Sequence, residues 1–148
     1  MSSPSPKPSP IPAGHRTVTP FLRVADAARL IEFLKPAFGA EVAFRMDGPN
    51  GTVVHAEVKI GDSMIMIGQS PAEDALRSMI HLYVPDTDAA YKSALAAGAT
   101  SIREPADQFY GDRSAGVRDV CGNEWWVATH IEDVSKEEME RRMAVMAR

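Results

Sequence analysis

Four histidines, one cysteine and one arginine-bearing loop carry most of the reactive side chains of this chain. His81 is the one histidine placed in an apolar strand, Met79-Ile80-His81-Leu82-Tyr83-Val84, and imidazole titrates near neutrality without help, so it is the candidate general base. His55 and Glu57 share one face of an alternating strand. Together with His81 they would make a facial metal site if that face points into a cavity; otherwise His55 and Glu57 form a solvated face and His81 is a hydrogen-bonded wall residue. The stretch Gln108-Phe109-Tyr110-Gly111-Asp112-Arg113 is the densest mixture of polar and aromatic groups. Arg113 there can grip a carboxylate or phosphate with two prongs while Phe109 and Tyr110 offer stacking faces, unless Asp112 neutralises Arg113 and ties the loop down. Trp125 and Trp126 are adjacent in a strand and must face opposite ways. Cys121 precedes a turn glycine with no base beside it and reads as a structural thiol. His15 lies in a proline-rich leader, a poor place for a preorganised site. No Ser-His-Asp spacing, phosphate-binding glycine loop or His-Glu-x-x-His run occurs.

The elements that position these groups follow from a faint duplication. Phe21-Leu22-Arg23-Val24 recurs as His81-Leu82-Tyr83-Val84, and Gly61-Asp62 before an apolar strand recurs as Gly122-Asn123 at a spacing of 61. Each copy reads strand, helix, strand, strand, strand. In the first copy, Val18 to Val24 is a strand and Asp26 caps a helix with Ala27, Leu30, Ile31, Leu34 and Phe38 as its stripe. Gly39 stops that helix, and Glu41 to Met46 is the next strand. Thr52 to Ile60 alternates with Val54, Ala56, Val58 and Ile60 on the buried face, and Met64 to Gly68 closes the copy. In the second copy, Met79 to Val84, Thr100 to Glu104, Arg113 to Arg118 and Glu124 to His130 are strands, with Asp86 or Thr87 capping a helix. A loop over Pro105 to Asp112 is expected. Ser135 with Glu138 three residues on starts a terminal helix whose Met139, Met143 and Met146 need cover.

The fold class is therefore α+β: two βαβββ modules forming a curled, mixed, eight-stranded cup with helices on its outer face. The division is a disordered leader over 1–16, a domain over 17–134 (module one 17–70, module two 77–134) and a terminal helix over 135–148. Side-chain alternation puts Thr19, Phe21, Arg23, Met79, His81 and Tyr83 on the helix-free face, a mixed set that suits a cavity wall.

With that strand order in hand, several stretches resemble the vicinal oxygen chelate superfamily, the glyoxalase and bleomycin-resistance-like proteins. They are Val18-Thr19-Pro20-Phe21-Leu22, Ala37-Phe38-Gly39-Ala40-Glu41, the strand through His81, Asp107 to Arg113, and Ala128-Thr129-His130-Ile131-Glu132-Asp133-Val134. The resemblance implies a cup often completed by a dimer, and a divalent ion held by one residue from the first and last strand of each module. Those positions fall at or near Thr19, Ile65, Met79 and Trp126, which offer an ion almost nothing. Under that register Trp126 enters the cup and Trp125 packs beneath the helix.

Composition closes the alternatives. The chain has 148 residues, 16 basic against 20 acidic, and one cysteine. A net charge of −4 gives no nucleic-acid stripe, no apolar run suits a membrane, and no signal peptide precedes the domain, so a cytoplasmic location is expected. The expected function is metal-independent binding of a small amphipathic or anionic aromatic molecule, with no cofactor, by a homodimer. Its ligand-binding residues are Thr19, Phe21, Arg23, Met79, His81, Tyr83, Phe109, Tyr110, Arg113 and Trp126. The alternatives are a lyase, isomerase or dioxygenase-like enzyme using His81 or a non-standard metal site, and a structural protein with a filled cup.

Overall fold

The computed structural model describes residues 3–147; residues 1, 2 and 148, at the ends of the expected leader and terminal helix, lie outside them. The first module runs β1 (Phe21–Val24), α1 (Ala27–Phe38), β2 (Glu41–Asp47), β3 (Val53–Ile60), β4 (Ser63–Gln69). The second runs β5 (Met79–Tyr83), α2 (Thr87–Ala96), β6 (Thr100–Asp107), β7 (Asp112–Arg118), β8 (Glu124–His130), and α3 (Lys136–Met146) follows. The architecture is α+β, and both βαβββ modules are present. Their eight strands form two four-stranded mixed sheets, ordered β1-β4-β3-β2 and β5-β8-β7-β6, each with one parallel pair beside two antiparallel ones. No helix of the described residues is long and apolar enough to cross a membrane.

Local signals explain the helices. The Asp26 carboxylate accepts from the Arg29 amide, and Gly39 takes the left-handed conformation (φ 69°) that lets its N–H reach the carbonyls of Leu34 and Lys35. Asp86 caps α2 through the Ala89 amide. Thr87 is instead buried, its hydroxyl shared with Thr129 and the Arg113 carbonyl. Ser135 caps α3 through the Glu138 amide.

Helix α1 buries Leu30, Ile31, Phe33 and Leu34 against Leu22, Val58, Ile65 and Ile67, and this core continues without a break into the second module at Trp125. The Phe38 and Trp125 ring centroids lie 5.2 Å apart. Fully burying each such side chain contributes about 1.5–3 kcal/mol, so this shared core, rather than strand pairing between modules, fastens the two halves.

Three details differ from the sequence expectation. A register shift opposite Met46/Asp47 leaves Val54 as the extra, bulged residue of β3, so Val53 enters the core and Val54 turns out to solvent, 50% exposed. Strand β6 continues through Pro105 to Asp107, because it is the sheet's edge and an edge strand tolerates a residue without an amide donor. The loop before β7 is correspondingly short.

Candidate functional site

The helix-free face of each sheet is read off its registers. On the first sheet, Phe21, Met66, Glu57 and Phe44 form one row, and Arg23, Gly68, His55 and Met46 the next. The Phe21 ring lies over Gly68, where a Cβ would come within 2.7 Å of it, and stands 5.9 Å from the His55 ring. Phe44 is 6.2 Å from His55 on the other side. On the second sheet the rows are His81, Trp126, Gly116 and Arg103, and Tyr83, Ala128 and Ser114. The Trp126 indole is laid across Gly116, where a Cβ would approach it to 2.7 Å. The Arg103 guanidinium carbon sits 4.9 Å from that ring's centroid, and its Nη2 donates to the Ser114 hydroxyl. Trp126 Nε1 donates to Glu124 at 3.1 Å. His81 and Tyr83 meet edge to face at 4.9 Å.

Most expected site residues stand on these faces, and three do not. Phe21 (49% exposed), Arg23, Met79 (69%), His81 and Tyr83 line them, half-buried Trp126 joins them, and Thr19 lies two residues before β1. Arg113 lies on the opposite, helix side of its sheet. Its Nε and Nη2 donate to Asp88 of α2 at 2.7 and 3.0 Å and its Nη1 to Asp107 at 3.0 Å, so it ties the loop to the helix and has no fork left for a ligand. The same pairs hold the guanidinium still more firmly protonated and keep the Asp88 carboxyl below its ordinary range. Phe109 and Tyr110 meet edge to face at 5.3 Å, and the Phe109 carbonyl accepts from Arg142 of α3 at 2.9 Å. That loop serves the terminal helix.

Another correction concerns Ile65. It is 3% exposed and belongs to the core, on the far side of the sheet from Phe21. Strand pairing sets Phe21 beside Met66 and His81 beside Trp126, so Met66 is the first module's counterpart of Trp126. The spacing of 61 misleads because Ile60 pairs Ser63 across a two-residue turn, whereas Arg118 pairs Glu124 across a five-residue loop. The longer loop shifts β8 by one residue, and a one-residue shift exchanges the faces of a strand.

The set His55, Glu57 and His81 is not brought together: two stand on the first sheet and His81 on the second. Among the described residues no three His, Cys, Asp or Glu side chains are grouped as a metal ion requires. Sequence reasoning missed His15. Its imidazole is 7% exposed and its Nε2 lies 3.4 Å from Glu57, while His55 Nε2 lies 3.8 Å from the same carboxylate. The end of the leader thus rests on the first sheet's open face. It also missed a chain of polar groups at the end of the second sheet. Buried Asp112 accepts from the Tyr83 hydroxyl at 3.0 Å and faces His130 Nδ1 at 2.8 Å, and His130 Nε2 meets Asp133 at 2.7 Å. Asp133 and Asp112 raise the His130 pKa, and Asp112 raises that of Tyr83, which stays a phenol. Cys121 is half-buried, and burial pushes its thiol up to about 11, too high for a nucleophile at neutral pH.

The sequence profile of the Glyoxalase/Bleomycin resistance protein/Dioxygenase superfamily matches residues 14–127. The chain belongs to that superfamily. It is 34% identical over 139 residues to uncharacterized proteins of Mycobacterium bovis (Mb0911c; 86% of this chain, 91% of the relative) and Mycobacterium tuberculosis (Rv0887c; 86% and 82%). Among solved structures it resembles TioX from Micromonospora sp. ML1, with a TM-score of 0.64 and 24% identity over 77% of this chain and 99% of that one. A glyoxalase/bleomycin resistance protein/dioxygenase from Nocardioides gives a TM-score of 0.61 at 20% identity over 82% and 88%. At such identities the structural likeness speaks for the fold.

Proposed function

We propose that this superfamily member holds a small, flat, amphipathic molecule against the open sheet faces without a metal ion. One observation carries the reading. At the strand positions where metal-dependent relatives are expected to place ligands stand Thr19, Met66, Met79 and Trp126. One hydroxyl, two thioethers and an indole do not suit a divalent cation. The same groups suit an aromatic ligand: thioethers adapt to irregular shapes, and an indole with its N–H already satisfied by Glu124 offers an apolar edge. As for base chemistry, among the described residues no carboxylate orients the His81 imidazole, which makes only ring contact with Tyr83.

The face of a single chain is half a site. Phe21, Phe44, Met46, Met79 and Tyr83 are all exposed, and β1 and β5 are outer strands of their sheets. A second copy that brings the first sheet of one chain beside the second sheet of the other would cover these groups and enclose the ligand.

The test uses N-phenyl-1-naphthylamine, an uncharged fluorescent aromatic. We expect saturable binding that is unchanged after chelator treatment and weakened about tenfold or more in Trp126→Ala, the effect of losing one buried aromatic contact. No binding of the dye, or one tightly held metal ion per chain in the purified protein, would overturn the proposal.

A further inference from the structure

Of the cations on the second sheet's open face, Arg118 lies 3.8 Å from Glu124, whereas Arg103 has no carboxylate partner among the described residues. Arg103 is nonetheless held. Its Nη2 donates to buried Ser114, and its guanidinium sits over the Trp126 ring, which itself rests on Gly116. A long, exposed arginine ordinarily loses rotamer freedom when it is fixed, and here two contacts have already fixed it. A guanidinium carries five N–H donors, and a single hydrogen bond leaves most of its fork open to the cup. The carboxylates that share this face are engaged elsewhere: Glu124 with Trp126 and Arg118, and Asp112 with Tyr83 and His130. An immobilised planar cation with a free edge, in the same row as His81 and one row from the Tyr83 ring, matches a planar oxyanion joined to a flat ring system.

We infer that Arg103 is the anion-recognising residue of the cup and that the ligand it selects is an aromatic carboxylate. The role that the sequence assigns to Arg113 passes to Arg103. This inference rests on the proposed ligand-binding cup and adds its charge specificity.

Competition against bound N-phenyl-1-naphthylamine separates the two statements. 2-Naphthoate and 2-naphthamide have the same shape and differ in charge. We expect naphthoate to displace the dye about five- to tenfold more effectively, the effect of one charge-assisted contact at an exposed site. Arg103→Gln, which keeps a donor for Ser114, should abolish that preference, read as the ratio of the two competitors' potencies within the variant; Arg103→Lys, with the charge but no fork, should restore part of it. Equal displacement by the two competitors in the wild type, or a preference surviving in Arg103→Gln, overturns the inference while the cup stands. Failure of the dye to bind the wild type overturns both.

Discussion

At the scale of single residues, the polar groups of the second module divide between those that hold the fold and those that face the cup. Asp119 is the clearest of the first kind. Buried at the start of the β7–β8 loop, it accepts from the Trp125 indole, the Asn123 amide and side chain, and the Cys121 amide. Asp119→Ala would orphan several buried donors at once, at roughly 1–3 kcal/mol each, so a large fall in Tm is expected, read by thermal denaturation. His130 gives a pH signature. Its folded pKa is raised above the ordinary 6.5 by Asp133 and Asp112, with Tyr83 sharing Asp112. Its contribution is therefore complete below that ordinary value and disappears as the pH rises through the raised one. The Tm gap between wild type and His130→Gln should be wider at about pH 5.5 than at about pH 9; a gap that widens with pH would contradict the assignment.

At the scale of elements, close approach decides what a strand presents. Gly116 on β7 is the seat of Trp126, and no side chain fits beneath that ring. Gly116→Ala should displace the indole, cost about 1–3 kcal/mol through overpacking, and weaken dye binding alongside Trp126→Ala, with unfolding curves and fluorescence titration as the measurements. Helix α3 is fastened electrostatically. Arg142 reaches Glu132, Glu138 and the Phe109 carbonyl, and the Arg141 and Arg142 guanidiniums bring the Glu138 carboxyl down to about 2. The helix stripe, the caps at Asp26 and Ser135 and the turn glycines were legible in the sequence because each is a local preference. The bulge that exchanges Val53 for Val54 and the one-residue shift that exchanges Ile65 for Met66 were not. Both arise from how one strand is paired to another, and the amino acids concerned are all apolar, so nothing in their types marks which one faces the core.

At the scale of the whole molecule, two sheets share one core through Phe38 and Trp125 and keep their open faces exposed. A chain so built should pair. Sedimentation equilibrium is expected to return a dimer, with Phe44→Asp shifting it toward monomer; a wild-type monomer at micromolar concentration would refute the completed cup. The leader belongs to this scale as well, since His15, remote in sequence, lies against Glu57 on the face such a dimer would enclose.

The sequence by itself determined the two βαβββ modules and several of the residues on their open faces, because hydrophobic period and turn chemistry act over a few neighbouring residues. Of the four positions that the family resemblance marks, it named Thr19, Met79 and Trp126, and strand pairing put Met66 in place of Ile65. Only the tertiary structure decided which arginine is free and which is consumed. Arg113 and Arg103 are alike in type, and what separates them is that α2 brings Asp88 to one while β7 and β8 bring Ser114 and an indole to the other. Such partners come from strands and helices far apart in the chain, where no local preference reaches.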